Sequence, residues 1–141
     1  MNKDYIGCEP EKVLKEVFGY DSFRLLQRKI ISNVLNKKDT LAIMPTGGGK
    51  SLCYQIPALI FDGITVVVSP LISLMQDQVD SLSASGVNAV FLNSTLDWDK
   101  YLESMNSIRR GETKILYVSP EGLSSPKIQD LLHDSRVKVS C

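Results

Sequence analysis

The sequence predicts an α/β domain: a parallel sheet with helices on both faces, in three layers. Three observations predict it. Short apolar, β-branched runs alternate with longer stretches of helical periodicity. Two of these runs, Val66-Val67-Val68 and Leu116-Tyr117-Val118, end in the same Ser-Pro step. A third, Leu41-Ala42-Ile43-Met44, ends in Pro45-Thr46 and three consecutive glycines. Strands that alternate with helices are joined by right-handed crossovers, and such crossovers leave the strands parallel and covered on both sides.

Taken in order, the first element is a short helix from Glu9 to Phe18, with Pro10 near its first position, Val13, Leu14 and Val17 at helical spacing, and Gly19 where a helix stops. After Tyr20-Asp21-Ser22, a second amphipathic helix is expected from Phe23 to Leu35, with Leu26, Ile30, Ile31, Val34 and Leu35 on one face. Leu41–Met44, Ile64–Val68, Asn88–Leu92 and Lys114–Val118 read as four strands. Helices are expected between them: Gly49 to Phe61, Leu71 to Ala84 with Leu71, Leu74, Met75, Val79 and Leu82 inward, and Asp97 to Arg109 with Tyr101, Leu102, Met105 and Ile108 inward. Pro57 inside the first of these predicts a kink or an altered hydrogen-bond pattern. Val137-Lys138-Val139 opens a fifth apolar run close to the end of the sequence.

The 141 residues are enough for one domain with a core. Hydrophobic content of 43% and charged content of 23% exclude a disordered or collagen-like chain. Sixteen basic residues balance sixteen acidic ones, so sequence-blind electrostatic adhesion to nucleic acid is not the work of the chain as a whole, although a local patch remains possible. Cys8, Cys53 and Cys141 are widely spaced and His133 stands alone, which gives neither a metal cage nor a disulfide framework. Their simplest reading is as small buried hydrophobes, with Cys141 an accident of position. Met1-Asn2-Lys3-Asp4-Tyr5 lacks the apolar run of a secretory signal and no stretch is long enough to cross a bilayer, so a reducing, cytoplasmic location without membrane contact is the expectation.

The strongest chemical signal is Thr46-Gly47-Gly48-Gly49-Lys50-Ser51 between a predicted strand and a predicted helix. Successive glycines let backbone N–H groups converge on a phosphate where side chains would obstruct it. Lys50 is placed to reach the β- and γ-phosphates of a nucleotide, and the Ser51 hydroxyl to bind Mg²⁺. The strict pattern asks for glycine at the first loop position, where this chain has Met44. The bland alternative is a glycine turn with an incidental lysine. Upstream, Tyr20, Arg24 and Gln27 recur at four- and three-residue intervals. An amide such as Gln27 can pair with N6 and N7 of adenine while a flat side chain stacks on the purine. Spacing alone favours an ordinary polar face, just as the two Ser-Pro steps are, by themselves, helix starts.

Phe18-Gly19-Tyr20-Asp21-Ser22-Phe23-Arg24-Leu25-Leu26-Gln27, Met44 through Ala58 and Val66 through Val79 with its Ser69-Pro70-Leu71 step, followed by Leu116-Tyr117-Val118-Ser119-Pro120-Glu121, together resemble the RecQ family of ATP-dependent DNA helicases. The blocks fall in family order over most of the chain. The resemblance implies that residues 1–141 are part of a RecA-like P-loop NTPase domain. Residues 9–36 would be N-terminal helices carrying adenine recognition by Tyr20, Arg24 and Gln27, and residues 41–141 the βα units. It implies ATP held by Thr46, Gly47, Gly48, Gly49, Lys50 and Ser51, with Lys50 and Ser51 the catalytic pair and Ser51 the Mg²⁺ ligand. It also implies that Ser69, Pro70, Leu71, Gln78, Ser119, Pro120 and Glu121 line a track for single-stranded DNA. The implied activity is 3'-5' unwinding of duplex DNA in replication, recombination or repair.

Two departures from the family are visible. Gly122 stands where an Arg is usual, so any contact of that Arg is absent. Leu25-Leu26 replaces a frequent Pro-Gly, from which a more regular helix is expected. The resemblance further places an Asp-Glu-x-His strand just beyond Cys141, and an arginine on a second RecA-like domain, so these residues alone are expected to be inactive. A non-catalytic nucleotide- or DNA-binding module is the alternative. A small-molecule kinase shares the loop but predicts none of the later blocks.

Overall fold

The computed structural model describes residues 4–45, 49–93 and 96–141. They form two compact units, one up to Asp62 and one from Gly63 onward. The first is helical. Its helices are α1 (Pro10–Phe18), α2 (Gln27–Leu35) and α3 (Leu52–Ile60). α1 begins with Pro10 in its first turn, where a missing N–H costs nothing, and stops at Gly19, whose left-handed φ of 76° lets its N–H reach back to Lys15 O at 3.1 Å. Val13 and Leu14 of α1, Ile31 of α2 and Ile56 and Ala58 of α3 are buried together with little or no exposure. α3 runs through Pro57 without a break, and the proline is itself buried. The expected altered bonding is confined to the one N–H that proline lacks.

Two expectations fail in this unit. Leu41–Met44 forms no strand, and Leu41 and Ile43 are 89% and 86% exposed. A strand exists only through the ladder it shares with a neighbour, and no strand is present among the described residues of this unit to supply one. The expected regular helix from Phe23 is also absent. α2 starts only at Gln27, because Leu25 adopts a left-handed φ of 38° and lies 90% exposed. That conformation costs a residue with a Cβ about 1–2 kcal/mol. It turns the chain so that the Arg24 N–H meets the Gln27 side chain rather than a helical carbonyl.

The second unit contains β1 (Thr65–Val68), α4 (Ile72–Ala84), β2 (Ala89–Leu92), α5 (Trp98–Arg109), β3 (Ile115–Val118), α6 (Pro120–Leu123) and α7 (Pro126–Leu132). The three strands are parallel in the order β1-β3-β2, with Val68 and Leu92 both opposite Val118. Every residue of central β3 is buried. Leu116 and Val118 face a core built with Met105 and Ile108 of α5 and Ile128 and Leu131 of α7, while Ile115 and Tyr117 point to the other face. Each such side chain contributes about 1.5–3 kcal/mol through burial.

Three of the four expected strands therefore form. The fifth apolar run forms an isolated parallel bridge, Val139 opposite Ile64: Ile64 N donates to Lys138 O at 2.8 Å, Ser140 N to Ile64 O at 2.9 Å, and Val66 N to Cys141 O at 2.7 Å, along the edge of β1 away from β3. Gly63 makes this approach possible. Its φ is 121°, and a Cβ there would lie 2.5 Å from Lys138 O. α4 buries Met75 and Leu82, but Leu71 and Leu74 are exposed, contrary to the inward stripe expected of them, as is Leu102 of α5. α7 went unpredicted although Ser125-Pro126 is the same start signal as Ser119-Pro120: Ser125 Oγ accepts from Ile128 N.

Candidate nucleotide and nucleic-acid site

A candidate nucleotide site lies in the helical unit. Thr46, Gly47 and Gly48 lie outside the described residues. Gly49 has a left-handed φ of 76°, a conformation that favours glycine, and Lys50 follows it on the surface. Ser51 is the N-cap of α3 but makes no side-chain capping bond, so its hydroxyl is not spent on the helix. α3 thus begins immediately after Lys50-Ser51, and the N–H groups of its first turn and the positive end of its dipole lie on the loop side, as an anion site requires.

Gln27 joins this loop to the upstream motif across 22 positions of sequence. Its Nε2 donates to Gly49 O at 3.1 Å and its Oε1 accepts from Arg24 N at 2.8 Å, and the residue is only 2% exposed. Each end of the amide keeps one further valence. The side chain fills the space a Cβ on Gly49 would need, so the glycine is required twice over, for its φ and for this contact. Tyr20 and the Arg24 side chain are exposed near the start of the same segment. The structure thus brings Gln27 and Gly49 together, whereas Arg24 and Gln27 do not share a helix face as their spacing suggested. Cys53, one turn into α3, is buried, and burial pushes its thiol pKa up, so it stays protonated and unreactive.

A separate candidate site, for nucleic acid, lies in the sheet unit. β1 and β3 are neighbours in register, and Ser69 N donates to Val118 O at 2.9 Å, so the two Ser-Pro steps leave the carboxyl edge of the sheet side by side. Ser69 Oγ accepts from Leu71 N at 3.2 Å and Ser119 Oγ from Gly122 N at 2.9 Å. Each serine therefore fixes the turn that presents its proline outward: Pro70, Leu71, Pro120 and Glu121 are exposed, and Gln78 is partly buried on α4. Gly122 serves the cap with its N–H, and a Cβ there would stand 3.1 Å from Ser119 Oγ. Loops beyond the carboxyl ends of parallel strands are where open α/β sheets bind ligands. Among the described residues no cluster of His, Cys, Asp and Glu could hold a metal, and no helix is long and apolar enough to cross a membrane.

Residues 24–139 match the DEAD/DEAH box helicase family. The chain belongs to that family. Within it, the sequence is 53% identical over 125 residues to the ATP-dependent DNA helicase RecQ of Haemophilus influenzae, covering 89% of this chain and 20% of that protein. It is 49% identical over 116 residues to the RecQ of Bacillus subtilis, covering 82% of this chain and 20% of that one. Identity to the rat ATP-dependent DNA helicase Q5 is 48% over 124 residues, 85% of this chain and 13% of that protein. The chain spans about a fifth of the length of the RecQ proteins it matches. The RecQ resemblance read from the motif blocks is thus borne out, and the small parallel sheet with its helices fits the α/β fold expected of a DEAD/DEAH box domain.

Proposed function

We propose that these residues are the nucleotide-binding part of the first RecA-like motor domain of a RecQ-type DNA helicase, which uses ATP and Mg²⁺ to move 3'-5' along single-stranded DNA and separate duplex. The observation that carries the reading is the Gln27–Gly49 hydrogen bond. It ties a base-recognition segment to a phosphate loop at the start of a helix, the two parts a nucleotide needs at its opposite ends.

In this reading Thr46 to Gly49 wrap the triphosphate with backbone N–H groups. Lys50 compensates charge on its β- and γ-phosphates, and Tyr20 and Arg24 flank the base that Gln27 orients. The Ser51 hydroxyl, free of capping duty, suits a Mg²⁺ ion. Held there, it would supply positive charge to offset that of the triphosphate. Ser69, Pro70, Leu71, Gln78, Ser119, Pro120 and Glu121 are the residues that meet DNA. Their backbone groups at helix starts can hold phosphates without reading sequence. The acidic pair that positions water, and the arginine that a second motor domain would lend, are not among these residues, so residues 1–141 by themselves should hydrolyse ATP negligibly.

The experiment is single-stranded-DNA-stimulated ATPase and duplex unwinding by the full-length protein with and without Lys50→Ala. Loss of both activities, with DNA binding retained, is the expected result. Unwinding that survives the substitution would overturn the assignment.

A further inference from the structure

Outside the two Ser-Pro turns, the sheet unit carries an aromatic surface to which the reading above gives no role. Trp98 and Tyr101, one turn apart at the start of α5, hold their rings 5° from parallel with centroids 5.9 Å apart. The Lys127 ammonium, from the first turn of α7, stands 4.8 Å from the centre of the Trp98 ring and 6.0 Å from that of Tyr101. Tyr101 packs against the core, which anchors the pair, but Trp98 is 58% exposed. Exposing a side chain of that size forfeits burial, and a lysine in the first turn of a helix faces the positive end of its dipole. The ring stack and the cation–π contact offset only part of that cost.

The position is also informative. α5 follows β2, α6 and α7 follow β3, and β2 and β3 are adjacent, parallel and in register. The first turn of α5 therefore lies off the same carboxyl edge as the Ser119 turn, and a Cβ on Gly122 in that turn would lie 3.8 Å from Leu92 O at the end of β2. A flat, anchored aromatic pair with a cation held over its rings and more than half of the tryptophan exposed is the chemistry that receives an unpaired base and its phosphate. At the N-cap and in the first two turns of α5 and along α7, Asp97, Asp99, Glu103 and Asp130 outnumber Lys100 and Lys127, with Arg109 at the far end of α5, so stacking rather than charge would carry the contact.

We propose that Trp98, backed by Tyr101 and Lys127, is a stacking platform for one base of single-stranded nucleic acid, extending the track assigned to Ser119, Pro120 and Glu121. The proposal rests on the DNA reading given above. Trp98 is the only tryptophan among residues 1–141, so the difference in emission between the full-length wild type and its Trp98→Phe variant isolates the Trp98 signal during titration with an oligothymidylate. Saturable quenching is expected. Trp98→Ala should weaken binding by about fivefold or more, Trp98→Phe should restore part of it, and the ratio of wild-type to Ala affinity should hardly change between low and physiological salt. Oligothymidylate binding that leaves Trp98 emission unchanged, or equal affinity in a Trp98→Ala variant with an unaltered circular dichroism spectrum, would overturn the platform while leaving the DNA reading intact. Quenching by a protein partner but not by the oligonucleotide would overturn it as well. Failure of the wild type to bind any single strand would instead sink the DNA reading, and the platform with it.

Discussion

Leu41-Ala42-Ile43-Met44 and Ile115-Leu116-Tyr117-Val118 are both four-residue apolar runs that lead within two residues to a proline, yet one is exposed and unpaired and the other is the buried centre of a sheet. Composition does not separate them. Pairing does: Ile115–Val118 has a parallel neighbour on each side, and Leu41–Met44 has none among the described residues of its own unit. The difference teaches that β-propensity describes a fit to a half-built surface, and that the ladder decides whether the surface exists.

The comparison is broken most forcefully at Leu116 and Leu41. Leu116→Ala should lower the stability of the sheet unit by about 2–5 kcal/mol through the cavity it leaves, whereas Leu41→Ala should stay within about 0.5 kcal/mol, as befits an exposed position. Urea unfolding of the two variants measures both. Equal effects would mean that Leu41 is packed in solution as Leu116 is.

Gly49→Ala sharpens the contrast from the loop side. The new Cβ must adopt a left-handed backbone and enter the space of the Gln27 amide, a strain of about 1–2 kcal/mol from the backbone alone. The expected outcome is a lower unfolding midpoint together with weakened ATP binding, read by calorimetric titration. In the sheet unit, Ser119→Ala removes the hydroxyl that accepts from Gly122 N and should cost about 1 kcal/mol, measured by thermal unfolding.

The smallest effect concerns pH. The Asp134 carboxyl accepts from the Arg136 side chain and backbone, with Arg109 nearby, and these contacts hold its pKa well below the usual carboxylate range. Because the folded-state pKa is depressed, the stabilisation is fully present above the ordinary aspartate range near pH 4 and is lost as pH falls below it through the folded value. Asp134→Asn should flatten the acid limb of a stability profile slightly and leave the profile above about pH 5 parallel to that of the wild type.

Legibility in the sequence follows the range of the interactions. Local chemistry was readable: Pro10 and Gly19 bracket α1, and the Ser-Pro step at Ser119 starts α6, because each acts within a single turn. The three strands whose ladders close within the sheet unit were readable too. What escaped depends on distance or on backbone energetics. Leu25 gives no sign in sequence that it takes a left-handed conformation, and the Gln27–Gly49 contact spans 22 positions. Exposure of Leu71 and Leu74 was hidden because helical periodicity marks an apolar stripe without saying what covers it. Of the candidate site, residue types and order were legible, and the pairing of Ser69 with Ser119 at one sheet edge followed only from the β1–β3 register.

The central claim is that Lys50 and the glycine loop before it receive a nucleotide triphosphate. Calorimetric titration of the full-length protein with Mg²⁺ and a non-hydrolysable ATP analogue, wild type against Lys50→Ala, tests it most directly. The account predicts about a tenfold or greater loss of affinity, the scale of a hydrogen bond to a charged group, and contradiction would be an affinity that Lys50→Ala leaves unchanged.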